Sequence, residues 1–297
     1  MVIIKTRNMG FFKKLFGVSA EAKQPTEEEK RNEEAKNFDI LKYDGVKAMR
    51  MQRIDYAVEC FVHALQIKED LEVRDYLSQC YVGQGELNLA YRHLEKIAEA
   101  RPDNIAVLLR MANVAFMMED YVVMGAACEK ALLVDQDSPE ALYLYAKAAR
   151  GTNDASNAVA MLTKALSVKD SFPEAMLLRG EVLTENDSLD EADEDAMALL
   201  AQFPDNEDIL MLKATIERKR GNAKEAAEFY TKVIDANPFN AEAYKHRSKM
   251  NATLGNTTEA DEDQKQFESL SAESAGHQEN IEEKTKEAYD NINPLGL

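Results

Sequence analysis

Three short stretches, ARPDN at 100–104, QFPDN at 202–206 and ANPFN at 236–240, punctuate the sequence at regular intervals. Their prolines are separated by 102 and then by 34 residues, and 102 is three times 34. Proline stops a helix, and the polar residues that follow it here favour the start of the next one. Each stretch therefore indicates the joint between two helical units, and the common period predicts an array of repeats.

The period divides residues 38–274 into seven segments, six of 34 residues and a first one of 33. These segments are 38–70, 71–104, 105–138, 139–172, 173–206, 207–240 and 241–274. The eighth position is always small: Gly45, Ser78, Ala112, Ala146, Gly180, Ala214 and Ser248. The twentieth is Ala in every segment except the third, which has Met124. Small side chains at two fixed positions let antiparallel helices approach closely, so each segment is predicted to be a helix, a turn and a second helix.

Glycines mark the predicted turn inside three of the segments, at Gly85, Gly221 and Gly255. A glycine at this place ends a helix readily because it adopts positive φ without strain.

These columns resemble the tetratricopeptide repeat (TPR) family over residues 38–274. The segments 207–240, with Ala214, Gly221, Ala226, Tyr230 and Pro238, and 71–104, with Tyr81, Gly85, Ala90 and Pro102, carry the resemblance best. It implies an all-α fold, a right-handed α-solenoid of about seven helix-turn-helix repeats. Such solenoids present binding surfaces to many unrelated partners, so the fold does not name a function.

The resemblance also implies that positions 2, 5, 9 and 12 of each first helix line a concave groove. Spacings of three and four residues do follow one helical stripe. In the middle segments these positions mix apolar and basic side chains, which could hold a peptide with apolar anchors and a carboxylate. The alternative is that Leu109 and Phe116 pack against neighbouring helices. The candidate groove residues are Leu109, Asn113, Phe116, Tyr143, Lys147, Arg150, Leu177 and Met211.

One subtype of the family clamps the acidic C-termini of chaperones with Lys, Asn and Arg at fixed groove positions. Lys42 matches the first of these positions, but Val46, Tyr76 and Leu109 stand where polar clamp residues would be needed. We therefore do not expect this clamp.

The composition argues against several other functions. The net charge of −18 has no basic stripe in the body of the chain, so no nucleic-acid partner is expected. The four histidines are scattered, no phosphate-binding or hydrolase motif occurs, and the acidic run at 190–194 is expected on a solvated outer face, so we expect neither enzyme activity nor a cofactor or metal. Cys60, Cys80 and Cys128 are predicted to be reduced core thiols, which suits a cytoplasmic location.

The two ends differ from the repeats. Residues 1–20 are basic and contain no acid, and residues 9–18 within them place Phe11, Phe12, Leu15 and Phe16 on one helical stripe. This segment is interpreted as a contact with an anionic membrane, as a plug for a groove, or as a leader packed on the first repeat. Residues 21–37 are predicted to be a charged linker or an extension of the first helix, and 275–297 a capping helix with an apolar tail that docks on the last repeat or in a neighbour's groove.

The main hypothesis is accordingly a non-catalytic scaffold or adaptor that binds a peptide segment of a protein partner in the groove. The alternative is a membrane-surface adaptor recruited through residues 9–18. No oligomeric state follows from the sequence.

Overall fold

A computed structural model of the protein describes residues 26–272, and over this range the chain forms helices joined by short turns, without a strand. The helices are α1 (Glu27–Arg50), α2 (Ile54–Ile67), α3 (Leu71–Gly83), α4 (Leu87–Ala100), α5 (Ile105–Met117), α6 (Tyr121–Val134), α7 (Pro139–Gly151), α8 (Ala155–Val168), α9 (Pro173–Glu185), α10 (Leu189–Leu200), α11 (Glu207–Arg220), α12 (Ala223–Ala236) and α13 (Ala241–Leu254). A further helix, α14, is described over 257–272. The predictions for residues 1–20 and 275–297 lie outside the described residues.

The chain divides into two compact units between Gly85 and Glu86. The first contains α1 to α3 and the second contains α4 to α14, so the boundary falls inside the predicted segment 71–104.

In the first unit, α1 is longer than the other helices because it begins within the predicted charged linker. Thr26 and Glu29 form a capping box, in which the Thr26 hydroxyl accepts from the Glu29 amide and the Glu29 carboxylate accepts from the Thr26 amide. Residues 27–37 are therefore the first turns of α1. The core of the unit centres on Phe61, which is fully buried and stacks on Tyr76 with ring centroids 5.3 Å apart.

In the second unit, each helix packs on the next one along the chain from α4 to α13, and α5 also contacts α7, as α9 contacts α11. The first helices of successive repeats are thus neighbours on one face. Close packing needs the small residues that the sequence repeats. A Cβ added to Gly180 would lie 2.7 Å from a methyl carbon of Leu212 on α11.

The eighth and twentieth positions are buried in all seven segments of the described chain, including Met124. The helices pack through the positions that the sequence repeats, and the predicted all-α fold class is confirmed for the described residues.

The three stretches that set the period all end in an asparagine that caps a first helix. The side chain of Asn104 accepts from the Val107 amide at 3.3 Å, and Asn206 and Asn240 accept equivalent bonds at 3.2 and 2.9 Å. Each bond satisfies an amide that the first turn of a helix leaves free. The period therefore measures the spacing between helix starts.

The turn within each helix pair contains one residue of positive φ. Gly85, Gly221 and Gly255 have φ of 77°, 82° and 83°, which confirms the prediction for the glycines. The four remaining turns place a residue with a side chain in the same conformation: Gln52, Glu119, Asn153 and Asp187.

Candidate functional site

The eight predicted groove residues all lie in the second unit, on first helices of successive pairs. α5 carries Leu109, Asn113 and Phe116, α7 carries Tyr143, Lys147 and Arg150, and α9 and α11 carry Leu177 and Met211. Asn113 and Phe116 are exposed, and the other six are partly buried. We call the surface that these four helices share with α13 the first-helix face.

An aromatic patch, defined as Phe116, Tyr143 and Lys147, joins α5 to α7 on this face. The ammonium of Lys147 lies 3.6 Å above the centroid of the Phe116 ring and 5.8 Å from that of Tyr143. Burial lowers the pKa of Lys147, and no carboxylate pairs with it among residues 26–272. The amine is thus a partly desolvated cation held by ring faces alone.

Tyr143 fixes the inner side of this patch. Its ring packs on buried Phe172, with centroids 5.3 Å apart, at the core cluster that includes Leu162 and Leu178. Burial first, and then the charges of Glu174 and Glu181, raise the pKa of the Tyr143 phenol, so it stays a neutral donor.

Arg150 has a different environment from Lys147. Its guanidinium donates to Glu181 at 2.6 Å and also to Glu185, both on α9, the first helix of the next repeat. Burial opposes its charge, but the hydrogen bonds to these glutamates leave the pKa of Arg150 raised. Of the two cations proposed to hold a carboxylate, only Lys147 is without an acidic partner in the described chain.

The ends of α7 and α9 and the starts of α11 and α13 enclose a cleft of about 390 Å³. Its lining residues are Arg150, Glu181, Thr184, Glu185, Asp208, Met211, Leu212, Thr215, Asn240 and Glu242. Four carboxylates against one guanidinium make it negative, and we call it the acidic cleft. The cleft brings Arg150 and Met211 together, whereas Phe116, Tyr143 and Lys147 do not line it.

The remaining predicted residues are tied to their own helices or to the core. The Asn113 amide donates to the carbonyl of Leu109 at 3.0 Å, one turn earlier on α5. Leu177 packs against the core cluster of Leu183, Ala192 and Ile216. Met211 packs against a second core cluster, whose members include sequence neighbours of Met211 on α11. Their exposed edges contribute apolar surface to the face.

The acidic run at 190–194 is less solvated than its sequence pattern predicts. Asp193 forms ion pairs with Lys213 and with Arg220, both on α11, and Lys213 is buried. The expectation was wrong for this residue, because α11 packs on α10 and brings two cations to its carboxylate. The buried ion pairs Arg179–Asp195 and Arg247–Asp263 were also missed. The sequence contains a signal for these pairs, because the arginine and the aspartate of the first pair are each repeated 68 residues later, at twice the repeat length.

The described residues offer little for covalent or metal chemistry. Cys60, Cys80 and Cys128 are free and buried, as predicted, and burial raises the pKa of Cys128 to about 12, so its thiol stays protonated. Between residues 26 and 272, no three His, Cys, Asp or Glu side chains gather as a metal site would require. None of the described helices combines the length and the apolar character needed to cross a membrane.

Comparison with known proteins agrees with this geometry. The tetratricopeptide repeat family matches residues 143–207, 190–241 and 211–260. A crystal structure of a tetratricopeptide repeat protein from Parabacteroides merdae superposes with a TM-score of 0.65, at 18% identity, over 79% of this chain and 93% of that one. Residues 143–260 contain tetratricopeptide repeats, and the chain has the fold of a TPR solenoid.

Two other solved structures share the fold. PilW, a widely conserved type IV pilus biogenesis factor, gives a TM-score of 0.60 at 19% identity, over 67% of this chain and 92% of its own. YrrB, described as a TPR protein with an unusual peptide-binding site, gives 0.52 at 22% identity, over 63% and 96%.

A curated relative is the mitochondrial import receptor subunit TOM70 of Saccharomyces cerevisiae. It is 37% identical over 73 residues, which are 25% of this chain and 12% of the length of the receptor. The TPR fold supports a role as a protein-interaction scaffold, and such scaffolds are generally non-catalytic.

Proposed function

We propose that this TPR protein is a non-catalytic adaptor that binds a peptide segment of a protein partner on its first-helix face. The observation that supports this proposal most strongly is the aromatic patch. Lys147 is a partly buried cation without a carboxylate partner in the described chain, and it lies beside an exposed aromatic ring. A partner that brings a carboxylate to Lys147 and an apolar side chain to Phe116 gains both a desolvated ion pair and buried apolar area.

The first-helix face is uneven in a way that gives a bound peptide an orientation. The aromatic patch offers rings and an amine, whereas the acidic cleft offers mainly carboxylates. A peptide with an apolar residue and an acidic residue at one end, and a basic or neutral residue further along, would be complementary to both. YrrB, a protein of this fold, is described as having an unusual peptide-binding site, which supports the proposal by analogy of fold alone.

A selection from a random-peptide display library tests the proposal directly. The full chain, immobilised through its C-terminus, should enrich peptides that contain an acidic residue near an aromatic or aliphatic one. Lys147→Gln should weaken the selected peptides by about 10-fold, the effect of losing one charge-assisted contact of roughly 1.4 kcal/mol.

The matched control is Lys164→Gln, because Lys164 lies on second helix α8 and pairs with Asp137 at 3.0 Å. It should leave the affinity unchanged. Equal losses in the two variants, or a selection without acidic residues, would refute the assignment of the patch.

A membrane-surface adaptor is the second candidate, and it stands on the sequence of residues 9–18 alone. Sedimentation with vesicles that contain phosphatidylserine separates the two candidates. A chain that lacks residues 1–20 should lose vesicle binding only under the membrane proposal, and it should keep peptide binding under the first.

A further inference from the structure

The outer face of α6 is apolar although the chain as a whole is strongly charged. Only two of the fourteen residues of α6 are charged, Glu129 and Lys130, and their charges have opposite signs. Val122 and Leu133 on the same helix are 73% and 87% exposed. In a chain with a net charge of −18, large apolar side chains left in water on one helix face indicate a surface that contacts another protein.

The exposed residues follow one stripe along α6. Val122, Ala126, Glu129 and Leu133 are separated by four, three and four residues, which is the spacing with which one helix packs along another. Ala126, in the middle, is exposed and small, so a second helix can approach closely there. We call these four residues the α6 stripe.

Other second helices of the second unit offer different surfaces. α8 exposes small polar side chains such as Ser156 and Thr163, and α10 exposes an acidic run that includes Glu191 and Glu194. Two copies of an acidic chain repel each other at a face such as that of α10. The α6 stripe, together with Lys130, instead combines large apolar side chains with no net charge.

A groove of about 460 Å³ adjoins one end of the stripe. It lies between the end of α4, the start of α5 and the end of α6, and Leu133 forms part of its wall. The groove is lined mainly by apolar side chains, among them Ala98, Pro102 and Met111. It can therefore receive an apolar residue that lies opposite Leu133.

The stripe is complementary to itself when two copies of α6 run antiparallel. Val122 of each copy then faces Leu133 of the other, beside the groove, and Ala126 of each copy faces Glu129 of the other. A two-fold axis that passes between Ala126 and Glu129 repeats every contact, as an interface between identical surfaces requires.

The two charged residues also match in this arrangement. One oxygen of Glu129 accepts from the Tyr145 hydroxyl at 3.2 Å, and Lys130 is exposed and pairs with no carboxylate among residues 26–272. Lys130 lies one turn after Ala126, so it is about 6 Å along the helix axis from the Glu129 that faces Ala126. The ammonium of each copy can therefore reach the second carboxylate oxygen of the other copy.

We propose that two copies of this chain pair through the α6 stripe, antiparallel and about a two-fold axis. The inference does not depend on peptide binding, because α6 is a second helix and its pairing leaves the first-helix face of each copy uncovered. A dimer of this kind presents two first-helix faces. It would raise the avidity for a partner that carries two matching segments.

The size of the surface sets the strength of the dimer. α6 has 14 residues and is therefore about 21 Å long. One pair of such helices with two flanking grooves is small beside the roughly 800 Å² per partner of a standard interface, so we expect a dissociation constant on the order of 10 µM.

Sedimentation velocity of the full chain from about 1 to 200 µM, a range that brackets this constant, tests the pairing. The expected result is a monomer–dimer equilibrium. Leu133→Glu should raise the dissociation constant at least about 10-fold, because it places a carboxylate against Val122 twice in an already acidic dimer. The matched control is Phe239→Glu, which introduces the same charge at an apolar residue that is 78% exposed between α12 and α13, and it should leave the equilibrium unchanged.

Disulfide trapping tests the antiparallel arrangement. Positions 122 and 133 of different copies face each other, whereas two positions 122, or two positions 133, are about 16 Å apart along the axis. A mixture of Val122→Cys chains and Leu133→Cys chains should therefore form a mixed disulfide dimer, and neither variant should form a dimer by itself. The native Cys60, Cys80 and Cys128 are buried and should give no background.

Three results would overturn the proposal: a monomer throughout the concentration range, no greater loss of association in Leu133→Glu than in Phe239→Glu, or disulfides between identical variants without the mixed one. A monomer whose position 133 crosslinks within its own chain would assign the stripe to residues outside 26–272 and would also reject the second copy. Peptide affinity and its loss in Lys147→Gln are measured separately, so this proposal and the proposed function can fail independently.

Discussion

Removal of Asp195 should destabilise the second unit more than removal of any exposed carboxylate near it. Asp195 is 4% exposed and accepts two hydrogen bonds from Arg179, at 2.8 and 2.6 Å. The same guanidinium donates to Thr163 at 3.2 Å, so one arginine joins α8, α9 and α10. Asp195→Ala would leave this cation partly buried without a counter-ion.

The magnitude follows from the burial of the two partners. Breaking a buried pair by removing one partner costs about 3–5 kcal/mol. The side chain of Arg179 retains 22% exposure, so water partly solvates the freed guanidinium, and we expect the lower end, about 3 kcal/mol. The double variant Arg179→Met, Asp195→Leu removes both charges and should cost less than Asp195→Ala alone.

Urea unfolding followed by circular dichroism measures the loss, and hydrogen exchange localises it. Repeat arrays need not unfold in one step, so faster exchange in α9 and α10 is the sharper readout. The matched control is Asp190→Ala, on the same helix but with a side chain that is 98% exposed, which should cost less than about 0.5 kcal/mol. Equal losses for Asp195→Ala and Asp190→Ala would refute the reasoning.

Further predictions concern packing, turns and the buried hydroxyl. Ala165→Leu should cost about 1–3 kcal/mol, because Ala165 is fully buried at a helix contact, whereas Glu191→Ala on an exposed position should change little; equal melting temperatures would show that the repeat register is wrong. Glu119→Gly should stabilise by about 0.5–1 kcal/mol, since φ at this residue is 56°, and Asn153→Gly should gain less because Asn tolerates positive φ; a loss at Glu119 in thermal unfolding would contradict this. Tyr230→Phe should leave the free energy of unfolding unchanged or raise it by up to about 1 kcal/mol, because it removes an unpaired buried hydroxyl, and a loss above about 1 kcal/mol would show that the hydroxyl has a partner.

The sequence predicted the helix pairs because their contacts are set by residue size at fixed positions. Ala and Gly at the eighth and twentieth positions leave room for a neighbouring helix, and that information is local to each repeat. The asparagines and glycines at helix ends are equally local, since capping and positive φ depend on one or two residues. The positive φ of Gln52 and Glu119 was not predicted, because neither residue is of a type that signals this conformation.

The electrostatics of the candidate site could not be predicted in the same way. Lys147 and Arg150 are three residues apart on one helix, yet only Arg150 reaches the glutamates of α9. That difference depends on the distance and angle between helices from different repeats, which no single repeat encodes. The stack of Tyr230 on His246 likewise joins two helices, α12 and α13, and neither residue is unusual in the sequence alone.

Photo-crosslinking from the first-helix face tests the central claim most directly. A photoreactive residue at Asn113, exposed on α5 next to the aromatic patch, is compared with one at Glu191, exposed on second helix α10, in lysate of the source organism. The account predicts crosslinks from position 113 that disappear when Lys147→Gln is added or when a selected peptide competes, and none of these from position 191. Crosslinks from position 191 alone, or crosslinks from 113 that persist with Lys147→Gln and competitor, would contradict a peptide-binding first-helix face.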